Sequence, residues 1–129
     1  MKKIFHLTIL LLFFSISNYG QEDVNNQSNS DNLLGEWIID LRPTPESEGY
    51  FQFFTVDSIE NNSFQASFYG SEVEKSLLNT GWEKLYFSFT TRDTSNEYYH
   101  SGYLQDGILY GITYCPNRKF TAPWTGRKK

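Results

Sequence analysis

From Leu33 onward no stretch of the chain repeats its apolar residues at helical spacing. Short alternating runs of Phe, Tyr, Ile and Thr follow one another instead, broken by turn signals about every twelve residues. Eight such runs lie near 34–41, 50–58, 63–69, 72–78, 84–91, 97–105, 108–114 and 119–125. The fourth is the least regular, since GSEVEKSLLNTGW also accommodates a helical turn. The pattern predicts an all-β fold: an eight-stranded antiparallel up-and-down meander, whose last strand returns beside the first to make a closed or nearly closed barrel. Pro123 cannot donate to a ladder, so it predicts a bulge or an edge in the last strand and incomplete closure there.

The turns predict registers. Asp106-Gly107 suits a type I′ hairpin, which needs positive φ at both positions, and Asn61-Asn62 follows the same logic. Gly70-Ser71 suits a type II′ turn, and Cys115 to Arg118 a longer turn begun by proline. About Asn61-Asn62, Ile59 then faces Phe64 and Thr55 faces Phe68; about Gly70-Ser71, Phe68 faces Val73 and Phe64 faces Leu77. One apolar face results, with Phe53, Ile59, Phe64, Ala66, Phe68, Val73 and Leu77. It also carries Asp57 and Lys75, which are either an ion pair in a partly wet interior or the mark of a register slip. The Asp106-Gly107 hairpin pairs Tyr103 with Tyr110, Ser101 with Ile112 and Tyr99 with Tyr114, and on its other face Leu104 with Leu109, Gly102 with Gly111 and His100 with Thr113. Both faces are partly apolar, and the sequence alone leaves open which is inside; small barrels fill best with mixed small and large residues, which favours the glycine–leucine face inward and the tyrosines as an outward patch.

Residues 1–20 read as a secretory signal peptide: Lys2 and Lys3, an apolar run from Ile4 to Ile16, and small residues at Ser15, Ser17 and Gly20. That run is shorter than the roughly 20 residues a membrane span needs. The expectation is export to a periplasmic or extracellular space, soluble after cleavage and without stable membrane insertion. Residues 21–32 hold a single apolar residue, Val24, and read as a disordered polar linker before a domain at 33–127. The basic end from Gly126 to Lys129 reads as a solubilising terminus.

Loss of the leader leaves 9 basic against 15 acidic residues, a formal charge of −6, which argues against nucleic acid as a partner. Cys115 is the only cysteine, so no intramolecular disulfide is possible; it reads as a small apolar filler, the alternative being a disulfide between molecules. His100 is the only histidine after the leader, and no cluster has metal-ligand spacing. A Cys115–His100 nucleophilic pair is disfavoured, because the hairpin register points His100 toward Thr113. Glu36 and Asp40 share the face opposite Trp37 and read as solvated. Asn61-Asn62-Ser63 matches a glycosylation sequon. The reading is of a non-enzyme without cofactor or metal.

Gly35-x-Trp37 opening the first strand, with an antiparallel meander behind a leader, resembles the calycins, the group that holds lipocalins and avidins. The resemblance implies an up-and-down barrel with a ligand in its mouth, and a basic residue from a late strand packed on the tryptophan, here Arg127 or Arg118. The chain departs from lipocalins in being shorter, without their disulfides or a helix after the barrel. The expected function is a binding module for a small apolar or aromatic ligand or a glycan, with Trp37, Phe53, Phe87, Tyr98, Leu104 and Trp124 as ligand-binding residues. Trp82 and the tyrosines are further candidates to stack on a sugar. The alternative is a non-catalytic interaction domain that meets a protein partner through Tyr99, Tyr103, Tyr110 and Tyr114.

Overall fold

Tight turns lay out the sheet. The computed structural model describes residues 29–129. The expected leader, and the expected linker through residue 28, lie outside the described residues. Nine strands follow one another: β1 (Gly35–Asp40), β2 (Phe51–Glu60), β3 (Ser63–Phe68), β4 (Ser71–Glu72), β5 (Glu74–Asn79), β6 (Leu85–Arg92), β7 (Glu97–Gln105), β8 (Ile108–Cys115) and β9 (Phe120–Lys128). They form one sheet in the order β4-β3-β2-β1-β9-β8-β7-β6-β5, antiparallel throughout, and β1 pairs β9. The all-β, nearly closed barrel expected from the sequence is the fold, with nine strands where eight were counted.

The difference arises in the fourth run, which splits. β4 pairs with β3 at one end of the sheet, while β5 pairs with β6 at the other. Between them the chain crosses at Val73, with Lys75 at φ 50. The gap between β3 and β5 is bridged by the Ser76 hydroxyl, which donates to Phe64 O at 2.6 Å and accepts from Phe64 N–H at 3.0 Å. Leu78 N–H also donates to Asn62 O at 2.8 Å. Incomplete closure is therefore here and not at Pro123. That proline lies beyond the end of β1, where β9 has lost its neighbour on that side and no donor is required.

Two registers depart from expectation. The turn before β4 is Tyr69-Gly70, with φ 55 and 76, so Phe68 pairs with Ser71 and not Val73. In β2 a bulge at Asp57 inserts a residue, so Thr55 pairs with Ser67 and Phe54 with Phe68, although Ile59 still pairs with Phe64. One inserted residue reverses the facing of everything before it. Phe54 and Val56 thus point inward, and Phe53 is turned out, half exposed. Leu77 is likewise outside, with Leu78 taking its place in the core. Of the two readings of Asp57 and Lys75, the slip is the one observed: both residues sit at irregular points of their strands, and Lys75 pairs with Glu97 on the surface.

The floor of the barrel explains the opening motif. Trp37 is buried, with its Nε1–H donating to Leu33 O at 2.8 Å. Lys128 Nζ lies 4.6 Å from the indole centroid, so the basic residue on the tryptophan is Lys128 and not Arg127 or Arg118. Arg127 points the other way by strand alternation, and Arg118 stands over the Tyr98 and Phe120 rings. Gly35 has φ +111, and a Cβ there would stand 2.9 Å from Lys128 Nζ. The basic end is therefore part of the sheet, and Lys129 N–H donates to Glu36 O at 3.0 Å. Of the expected linker, the described residues 29–32 form a helical turn that leads into the fully buried Leu33.

The lumen is filled with rings. Phe54 on β2 and Phe89 on β6 stack across it at 5.2 Å, with Phe64, Phe68, Phe87 and Trp124 packed around them. Room for these rings comes from Gly102 and Gly111, paired on β7 and β8. A Cβ on Gly111 would overlap the Trp124 indole, and one on Gly102 would meet the Tyr110 carbonyl and the Phe87 ring. We expect Gly111→Ala to destabilise the protein by about 2 kcal/mol through overpacking. Urea denaturation should show a lower midpoint at unchanged slope; an unchanged midpoint would mean that the indole has room to move.

Candidate functional site

With the lumen occupied, the concave surface lies on the outer wall. Strand alternation turns Tyr86 and Ser88 of β6, Ser101 and Tyr103 of β7, Tyr110 and Ile112 of β8, and Pro123 and Thr125 of β9 outward. The ladders then align them in two rows. One runs Leu77–Ser88–Ser101–Ile112–Pro123, and the other Asn79–Tyr86–Tyr103–Tyr110–Thr125–Asp40. The first row has small side chains at its centre and the second is tall. Together they make a groove of about 1100 Å³, with Phe87 and Trp124 behind its floor at the two glycines.

The far wall is the segment after β1, Arg42 to Pro45. Arg42 holds it in place through Nε and Nη2, which donate to the two Asp40 carboxylate oxygens at 2.9 and 2.7 Å, and through Nη1, which donates to Pro45 O at 2.9 Å. Its guanidinium also lies 5.0 Å from the Phe51 ring centroid. Hydrogen bonds from the Arg42 side chain and backbone hold the Asp40 carboxyl down at about 2. The groove therefore carries no net charge at neutral pH, because these are its two charged lining residues and they neutralise each other. The Tyr86, Tyr103, Tyr110, Ser88, Ser101 and Thr125 hydroxyls find no hydrogen-bond partner among the described residues.

The expected ligand-binding residues do not assemble as a lumen site. Trp37, Phe87 and Trp124 are buried in the packed interior, and Phe53 is outside with Lys129 Nζ 5.2 Å from its ring centroid. Tyr98 sits at one end of the barrel, its hydroxyl donating to Asp93 at 3.0 Å and accepting from Arg118 at 3.0 Å. Leu104 is partly buried against the core. The four expected surface tyrosines do share the outer wall, as two stacked pairs: Tyr103 with Tyr110 at 5.2 Å and Tyr99 with Tyr114 at 5.1 Å. The first pair lines the groove. Sequence reasoning missed Tyr86, Ser88, Ser101 and the Asp40–Arg42 pair. A signal was present: Tyr-x-Ser at 86–88 and Ser-x-Tyr at 101–103 are mirror images, which antiparallel pairing sets Tyr to Tyr and Ser to Ser.

Among the described residues, no group of three or more His, Cys, Asp or Glu side chains is placed to hold a metal ion. Cys115 is buried and free. His100 is buried inside the wall behind the groove, stacked on Phe89 at 4.6 Å. Its Nδ1 lies 2.7 Å from Thr113 Oγ1 and its Nε2 2.8 Å from Thr91 Oγ1, while Trp124 Nε1–H donates to that same Thr113 oxygen at 2.9 Å. The neutral ring is satisfied at both ends. No known protein family, characterised protein or solved structure matches the chain.

Burial lowers the His100 pKa from 6.5 to about 4. The unfolded ring takes up a proton near pH 6.5 and the folded ring only near 4, so stability falls as pH drops through that window. The loss amounts to about 3 kcal/mol in total, complete below the folded value. The Asp40 contribution is present above 3.8 and is lost only as pH falls toward 2. We expect His100→Gln to flatten stability between pH 6.5 and 4 in urea titrations at stepped pH; a slope equal to wild type there would assign the sensitivity to another group.

Proposed function

We propose that this chain is an exported, non-catalytic binding module on a calycin-like barrel, and that its ligand is a small neutral molecule with apolar or aromatic surface, or a glycan. Gly35, Trp37 and Lys128 meet at the barrel floor in the way that resemblance implies, with a basic residue of the last strand on the tryptophan. The leader pattern supports export. The observation that carries the reading is the outer groove, where six hydroxyls without a partner among the described residues stand beside aromatic rings while the lumen is packed. The ligand is thus assigned to the outer wall and not to the barrel mouth. Ligand sites combine apolar lining with a few convergent polar groups, and this groove has both.

A second reading, a protein partner, is favoured by one observation: the exposed groove residue Ile112 is joined by the exposed Tyr114 and Phe120 on β8 and β9. Thermal-shift and native mass-spectrometric screens of small aromatic compounds and sugars separate the two. A ligand at a hundredfold excess over its Kd should stabilise wild type by about 2.7 kcal/mol. Tyr103→Ser/Tyr110→Ser should lose that stabilisation while keeping its own fold. Stabilisation retained by the double variant would place the ligand elsewhere and sink the assignment. Absence of any small ligand, with loss of a captured protein in the double variant, would establish the second reading.

A further inference from the structure

The groove is one part of a longer aromatic row. Trp82, in the segment before β6, is 71% exposed and meets Tyr86 edge-on at 5.8 Å between centroids. Tyr86 is followed by Tyr103 at 6.1 Å and Tyr103 by Tyr110 at 5.2 Å. Four rings thus run across β6, β7 and β8, alongside a floor of Ser88 and Ser101 and toward Thr125 and the Asp40–Arg42 wall. Resting on the reading of the groove as a ligand site, we propose that its ligand is the chain of a neutral oligosaccharide, lying along this row.

Three features weigh against other occupants in turn. The lining is open to solvent, with Leu77 at 62%, Ile112 at 43% and Tyr110 at 37% exposure, which suits an extended ligand better than a compact apolar molecule that needs most of its surface buried. Asp40 and Arg42 in the lining neutralise each other, and the cation beside the row, Lys84 Nζ at 4.6 Å from the Tyr103 centroid, is already set against a ring, so a polyanionic ligand would find little counter-charge. An extended peptide gains its affinity by adding to a sheet edge, and this row crosses interior strands whose backbone groups are already consumed in ladders on both sides. A sugar chain needs neither charge nor backbone partner. Each pyranose ring offers an axial C–H face to an aromatic ring, and a rim of hydroxyls that both donate and accept. The groove supplies hydroxyls without a partner among the described residues, and the row supplies rings, Trp82 the most exposed of them; the facing surfaces of Tyr103 and Tyr110 are taken by their own stack. The row is longer than one sugar, so affinity should depend on chain length.

The test is isothermal titration of the full chain with neutral homo-oligosaccharides of glucose, mannose, xylose and galactose, from one to six units, with an oligogalacturonate as the anionic comparator. At least one neutral series should bind, its affinity rising about tenfold from the disaccharide to the tetrasaccharide and then levelling, as each added ring contact contributes on the scale of an aromatic pair. Trp82→Ala should weaken the longer oligomers about tenfold and leave the disaccharide within about twofold. Trp82 is exposed, so this variant keeps its melting temperature. Binding of a small aromatic compound in the groove with no neutral oligosaccharide bound would overturn the glycan assignment and leave the groove reading standing. Preferential, salt-sensitive binding of the oligogalacturonate would overturn it as well. Loss of every groove-dependent ligand would overturn both.

Discussion

Phe54 and Phe89, stacked face to face across a narrow barrel, set the terms for the other strands. A small lumen that holds six aromatic rings has no room for ordinary side chains at every inward position. The wall yields where Gly102 and Gly111 adjoin, and the Phe87 ring and the Trp124 indole lie directly on strand backbone there. A filled interior contributes apolar burial and aromatic pair terms of about 0.5–1.5 kcal/mol each, which matter in a domain with no disulfide. It also removes the interior as a place for a ligand. Recognition is left to the outside of the same wall.

The buried polar network behind the groove follows from this packing. His100, Thr91, Thr113 and Trp124 satisfy one another inside a shell of rings, and no buried side-chain nitrogen or oxygen among the described residues lacks a partner. On the outside, Arg42 performs the corresponding task with a charge. Held by two carboxylate oxygens, a carbonyl and a ring, it fixes the wall segment in one position. A half-buried surface ion pair of this kind adds little to stability. Its contribution is shape, since a wall held before binding need not be ordered by the ligand.

What the sequence disclosed follows the reach of its signals. The 97–114 hairpin was readable to the residue, because Asp106-Gly107 fixes the register by local backbone chemistry and the pairs follow by counting. The facing of Phe53 was not, because it depends on a bulge at Asp57 that no turn residue announces. The only trace was a charged residue in a row that should have been apolar, and Asp57 marked the right place. The tyrosine face was anticipated from the same hairpin. The groove was not, since it requires the registers of five ladders at once to set Ser88 beside Ser101 and Thr125 beside Asp40. Lys128 was overlooked in favour of two arginines because the chain end was read by its charge, and not by its alternation with Gly126 in the last strand.

The crossing at Val73 has a consequence for how copies of this protein meet in solution. An open sheet offers unpaired backbone at both ends, and each end is a template on which another chain can grow. Here the two outermost strands, β4 and β5, are consecutive in the chain, so the same few residues occupy both ends. The Ser76 hydroxyl covers the backbone of Phe64 between them. Glu72, Glu74 and Lys75 lie exposed along that crossing. An approaching strand would have to displace a covalently tethered segment and bury those charges before it gained its first ladder bond. The seam between β3 and β5 is thereby guarded against pairing with a strand of another chain.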